Sequence, residues 1–212
     1  MFIELVDSLR CLTPHEETWL VASVSEMSGR HIISGTLGCP MCHRAYPVRD
    51  GAAIFTADGS APSLTTAGVA SEERVLRAAA LLGLSDAGGI VVLGGAWVDC
   101  ADALAAMGPA HVVTLNTVAS DASPQAVSSI VVDDALPFGS GALRGVALDG
   151  YTATPTLVSS AVARLRSRGR LVAAAGVPVP ADVSELARDA ADWVAERAVV
   201  ASPPVALRLG RR

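Results

Sequence analysis

Gly38-Cys39-Pro40-Met41-Cys42-His43-Arg44-Ala45-Tyr46-Pro47-Val48-Arg49-Asp50-Gly51 sets the character of the first quarter of this chain. Two cysteines separated by two residues, one of them proline, form a tight knuckle that aims both sulfurs at one point. A tetrahedral zinc ion needs two further ligands. Upstream stands Cys11-Leu12-Thr13-Pro14-His15, so the chain reads C-x3-H, then 23 residues, then C-x2-C. That is a Cys3His pattern, with Cys11, His15, Cys39 and Cys42 as candidate ligands. A closed shell of four ligands leaves no open coordination position, so the zinc is expected to be structural. His43 and His31 are the alternatives for the fourth ligand.

The 212 residues suffice for a sizeable core. Half are hydrophobic but only 4% are aromatic. Alanine, valine, leucine and glycine suit parallel strands packed closely beneath helices. The net charge of −5 gives no general attraction to nucleic acid. Every basic side chain is arginine, and Arg208, Arg211 and Arg212 read as a solvated basic end. The opening residues lack a basic region and a long apolar core, so no secretory leader is expected. No apolar run reaches the ~20 residues of a membrane span. Four cysteines, three in a metal pattern, fit a reducing cytoplasm better than a disulfide framework.

Three regions are expected: residues 1–57, a linker of small and turn-forming residues over 58–70, and an alternating unit over 71–212. The alternating unit starts with a helix from Ser71, capped by that serine with Glu72 and Glu73 in its first turn. Strands are expected over 89–94, 111–116, 129–133, 145–149 and 170–175. Helices are expected over 98–107, 123–128, from Thr154-Pro155 to Gly169, and over 182–196. Two last runs, 197–201 and 205–209, read as a hairpin around Ser202-Pro203-Pro204. The fold class is therefore α/β, a doubly wound, Rossmann-like sheet with a terminal antiparallel hairpin behind a small zinc ribbon.

Residues Cys39-Pro40-Met41-Cys42 and Tyr46 to Phe55 resemble the zinc-ribbon family that includes the activator subunit of eukaryotic tRNA and protein methyltransferases. That family carries a C-P-x-C knuckle followed by Y-P-[IV]-x-D-G and a strand, and usually C-x2-C as its first knuckle. This chain departs from it with Cys11 and His15. The remainder resembles a class I S-adenosylmethionine-dependent methyltransferase through its strand order, its terminal hairpin, Asp134-Ala135-Leu136-Pro137-Phe138, and the step from a helix through Gly169 into Arg170-Leu171-Val172.

The second resemblance implies a cofactor held at the strand tips by Gly94, Gly95, Asn116, and Asp133 or Asp134. Three positions depart from that pattern. The first strand ends in Leu93-Gly94-Gly95-Ala96-Trp97, without the acid and spaced glycines of [DE]-x-G-x-G. The second ends in Asn116, not an acid. The fourth reads Leu143-Arg144-Gly145-Val146 where F-D-x-V is usual. Trp97 is expected to fill or plug the pocket rather than stack on adenine. No catalytic residue is assigned. Two functions follow: a zinc-binding, non-catalytic scaffold or accessory protein acting on another protein or a second copy of itself, or an active methyltransferase with an atypical cofactor loop.

Overall fold

The computed structural model describes residues 1–61, 65–85, 88–108, 110–118 and 127–198. Thirteen strands and three α-helices are assigned among them. The first four strands are β1 (Val21–Ser28), β2 (His31–Gly38), β3 (Ala45–Arg49) and β4 (Ala52–Ile54). They form an antiparallel meander. A short strand β5 (Thr65–Thr66) and helix α1 (Glu72–Leu82) follow. The Ser71 hydroxyl accepts from Arg74 N, and Gly83 ends the helix at φ 65°, a left-handed value that suits glycine.

Next come β6 (Ile90–Gly94), α2 (Ala101–Ala106), β7 (His111–Leu115), β8 (Thr117–Val118), β9 (Val127–Val131) and β10 (Leu143–Leu148). Helix α3 (Pro155–Arg164) is capped by Thr154 with proline at its first position. The chain then enters β11 (Leu165–Ala174), β12 (Val183–Arg188) and β13 (Asp192–Arg197).

One eleven-stranded sheet runs in the order β1-β2-β3-β4-β9-β7-β6-β10-β11-β13-β12. Strands β9-β7-β6-β10-β11 are mutually parallel, and their order in the chain, 3-2-1-4-5, is the doubly wound one. Strand β13 lies antiparallel between β11 and β12. Strand β4 pairs parallel with β9, so the N-terminal meander and the doubly wound unit share one sheet.

Alternation along the strands feeds two cores. Val91 and Leu93 point to the face covered by α1 and α2, with Trp97, Cys100 and Leu104. Val92 points to the other face, with Leu157, Val158 and Val162 of α3 and with Leu5, Leu9 and Leu20. Neither the β9–β10 nor the β11–β12 connection contains a helix. The N-terminal segment therefore shares with α3 the work of covering this second face.

Several expectations are corrected. Residues 182–196 form the β12–β13 hairpin, not a helix. Asp189 makes the turn: its Oδ1 accepts from Ala191 N and Asp192 N at 2.8 and 2.9 Å. Trp193, Val194 and Ala195 are buried against β11, and pairing to that strand overrides the helical propensity of an alanine-rich stretch. Trp193 anchors this strand through Nε1 donating to Val177 O at 2.7 Å. Helix α3 stops at Arg164, short of the expected Gly169. Leu143 pairs with Leu165 and Gly145 with Arg170, so residues 166–169 bulge out of β11. Residues 127–128 belong to β9, and residues 123–126 of the expected short helix lie outside the described residues. So do residues 199–212, which hold most of the expected last hairpin and its basic end.

His111, at the start of β7, joins the N-terminal segment to the sheet. Its ring stacks on Phe2 at 5.2 Å between centroids and its Nε2 lies 3.0 Å from Ser128 Oγ, which also accepts from Phe2 N. Burial, followed by the charge of nearby His31, lowers its pKa from 6.5 to about 4. The unfolded state then binds the extra proton first, so stability is complete above pH 6.5 and falls as the pH drops toward 4. Urea unfolding should show this group costing about 1–2 kcal/mol between pH 7 and pH 5. His111→Gln should flatten that slope; an unchanged slope would contradict the assignment.

Candidate metal centre and strand-tip site

The knuckle is built by the turn between β2 and β3. Cys39 N donates to Arg44 O and His43 N to Cys39 O, and His43 adopts a left-handed φ of 58°. The segment before β1 supplies the other pair. Cys11 N donates to Thr18 O, closing the loop that carries His15. The structure brings Cys11, His15, Cys39 and Cys42 together, with all four candidate ligand atoms within 4.8 Å of one another. Cys11 Sγ lies 3.6 Å from Cys42 Sγ, and Cys39 Sγ lies 3.4 Å from His15 Nε2. A tetrahedral zinc ion with ordinary bond lengths separates its sulfurs by about 3.8 Å and sulfur from nitrogen by about 3.5 Å. The donor set and its spacing therefore fit zinc. His31 and His43 stand outside this group of four.

The surroundings prepare the ligands. His15 Nδ1 lies 2.6 Å from Glu16 O, which leaves Nε2 for the cluster. The Tyr46 hydroxyl lies 3.3 Å from Cys11 Sγ and accepts from Leu12 N at 3.0 Å. Thr13 N donates to Cys11 Sγ at 3.4 Å. Burial pushes the Cys11 thiol up, but the hydrogen bonds from Tyr46 and Thr13 outweigh it and bring its pKa down to about 6. Cys42 is also lowered, chiefly by the backbone at Arg44, whereas burial raises Cys39. A metal ligand must be the thiolate, so these bonds favour binding at neutral pH.

The strand tips are arranged differently. Gly95 has φ 61°, and a side chain there would run into the Asp149 carboxylate. Asp149 follows β10. Its Oδ2 accepts from Ala96 N at 2.9 Å, and its Oδ1 from Tyr151 N, Thr152 N and the Thr152 hydroxyl. Burial raises its pKa and these bonds more than reverse the rise, so it is ionised at neutral pH. A side chain on Gly94 would meet Leu148 at 2.9 Å and Thr152 Oγ1 at 3.2 Å. Trp97 lies in the core beneath α1, with the Arg74 guanidinium 5.4 Å from its ring centre.

Asn116, at a left-handed φ of 54°, accepts from Val132 N through Oδ1 at 2.8 Å. Asp133 Oδ2 accepts from Ala57 N at 2.8 Å. Asp134 is exposed and lines, with Thr13, Arg44 and Tyr46, a cleft of about 310 Å³ between the metal loop and the end of β9. Asp99 fastens residues 65–70 across the tips, accepting from Gly68 N through Oδ1 at 2.7 Å and from Ala70 N through its carbonyl. Asp149 and the Tyr46 hydroxyl have no role in the expectations drawn from the sequence. An acid at a strand end with threonine three residues on was a legible turn signal for Asp149. Nothing marked the Tyr46 hydroxyl as a partner of Cys11.

Removing the Asp149 carboxylate leaves Ala96 N and Thr152 N without their partner. Asp149→Ala should lower stability in urea by about 2 kcal/mol. A loss below about 0.5 kcal/mol would show that the carboxylate does not hold the loop.

Residues 12–51 match the family model described as Trm112p-like protein. No curated protein matches the chain. Among solved structures, Haemonchus contortus phosphoethanolamine N-methyltransferase 2, in complex with phosphomonomethylethanolamine and S-adenosylhomocysteine, is 14% identical at a TM-score of 0.41. That likeness covers 50% of this chain and 28% of the other. A putative S-adenosyl-L-methionine-dependent methyltransferase from Methanococcus maripaludis is 9% identical at a TM-score of 0.42, covering 61% of this chain and 86% of that one. The antibiotic-resistance methyltransferase Kmr is 13% identical at 0.42, covering 65% and 98%. The chain thus spans about a quarter of the first of these proteins and nearly all of the last. The strand order rests on the pairing described above and not on these likenesses. A Trm112p-like segment opens a chain whose remainder is a doubly wound sheet.

Proposed function

We propose that this chain is a zinc-binding accessory or scaffold protein whose methyltransferase-like unit no longer grips S-adenosylmethionine. In this reading residues 1–57 form the zinc ribbon, residues 58–70 link it, and residues 71–212 are the methyltransferase-like unit. The zinc is structural and clamps the ribbon through Cys11, His15, Cys39 and Cys42.

The observation that carries the loss of cofactor binding is the Asp149 carboxylate, bound to Ala96 N and lying against Gly95. Glycines at the first strand end serve a ligand by letting the backbone approach it. Here that approach is taken by the protein's own anion. Asn116 Oδ1 and Asp133 Oδ2 are likewise committed to Val132 N and Ala57 N. An accessory role for another protein or a second copy of the chain is supported by the edge of β1, which has no second strand partner among the described residues. Val21, Val24 and Met27 are exposed there beside Trp19, with Glu26 as the only charge on the strand. Among the described residues no helix is long and apolar enough to cross a membrane.

Purified protein should hold about one equivalent of zinc by elemental analysis, and Cys39→Ser should lose it and unfold at least residues 1–57. Less than about half an equivalent in intact protein would count against the ribbon. Calorimetric titration with S-adenosylmethionine or S-adenosylhomocysteine should give no heat of binding up to millimolar ligand. Micromolar affinity would restore the active-methyltransferase reading, with Gly94, Gly95, Asn116, and Asp133 or Asp134 around the cofactor.

A further inference from the structure

The metal loop has a second set of contacts, unrelated to the ligands. Arg10 stands just before Cys11, and Glu17 stands two residues after His15. Both reach the β9–β10 connection. Arg10 N donates to Pro137 O at 2.9 Å, and Gly139 N donates to Ser8 O at 3.0 Å. The Arg10 guanidinium is buried, lies 3.8 Å from the Trp19 ring centre, and comes within 3.2 Å of where a side chain on Gly139 would begin. The Glu17 carboxylate accepts from Ser140 N at 3.2 Å, from the Ser140 hydroxyl at 2.9 Å and from Arg164 Nη1 at 3.1 Å. Arg10 Nε lies 3.8 Å from the same carboxylate. Arg164 is the last residue of α3, where a cation also suits the helix dipole.

We infer that Glu17 is a clasp through which metal occupancy is transmitted to the β9–β10 connection and the C-terminal end of α3. This rests on the zinc reading above for its trigger. Residues 11–18 contain no helix or strand. Within the loop, Cys11 N–Thr18 O and the Thr18 hydroxyl to Glu16 O are the main closing bonds. Holding Cys11 and His15 on one ion fixes the loop, and with it the position of Glu17. Without the ion the loop is free to swing, and an ion pair spanning 147 residues of sequence must be made at the full entropic cost of ordering the loop. Glu17 exchanges one bidentate set of contacts for solvent when it leaves, so the clasp has two discrete states, as coupling between distant elements requires.

Hydrogen exchange read by mass spectrometry on the full chain tests this, with the protein zinc-loaded and then stripped by a chelator. In the unaltered protein, zinc should add protection of at least about fivefold at residues 39–44, at 139–142 and at 161–165. In Glu17→Ala the gain at 39–44 should persist, because no ligand is touched, while the gain at 139–142 and 161–165 disappears. Arg164→Gln, which leaves the metal loop intact, should lose the gain at 161–165 and keep it at 139–142. Equal zinc-dependent gains at 139–142 in the unaltered protein and Glu17→Ala would overturn the clasp. Failure of the zinc reading shows separately, as absence of zinc in elemental analysis and no gain at 39–44.

Discussion

Three residue pairs carry the architecture. Ala52, Ala53 and Ile54 of β4 lie parallel to Ser129, Ile130 and Val131 of β9. Without that pairing β9 would end the doubly wound sheet as a bare edge rich in valine and isoleucine, the kind of edge that pairs with whatever strand it meets. With it, the small antiparallel meander continues the large sheet, and one set of hydrogen bonds runs from β1 to β12. A meander this short has little core of its own and leans on the neighbouring sheet. Its apolar faces are completed from outside: Tyr46 and Val48 enter the same cluster as Ile130, Phe138 and α3.

This arrangement decides where each functional group falls. Turning the chain from β4 toward Ala57 brings that residue's N–H onto Asp133, at the end of β9. Crossing residues 65–70 over the tips brings Gly68 onto Asp99. Asp133 and Asp99 are thus drawn into holding connections together, while Asp134 stays exposed. Asp149 completes the pattern at the first strand end. A cleft lined by Thr13, Tyr46, Asp133 and Asp134 separates the loop between Cys11 and His15 from the end of β9.

Much of this was legible in the residues. The knuckle Cys39-Pro40-Met41-Cys42 and its upstream partners Cys11 and His15 are local chemistry, and ligand spacing survives whatever surrounds it. The parallel strands were legible because buried runs such as Ile90-Val91-Val92-Leu93 have strand length and are bounded by glycines. Residues 182–196 were misread because alanine and glutamate at helical spacing speak only of local preference. The edge of β11 needed a partner, and that demand is invisible to a window of fifteen residues. Likewise the reach of Glu17 to Ser140 and Arg164 spans more than a hundred residues, and a charge in a loop gives no sign of its partner.

In the function proposed above, an ion fastens the N-terminal meander through Cys11, His15, Cys39 and Cys42, and the Asp149 carboxylate occupies the turn after β6 in place of a nucleoside. A crystal structure of the full chain grown with zinc and millimolar S-adenosylhomocysteine examines both at once. The expected result is one ion held by Cys11, His15, Cys39 and Cys42, with Asp149 still on Ala96 N and no nucleoside at the ends of β6 and β7. A well-ordered nucleoside there, with Asp149 swung aside, would contradict it.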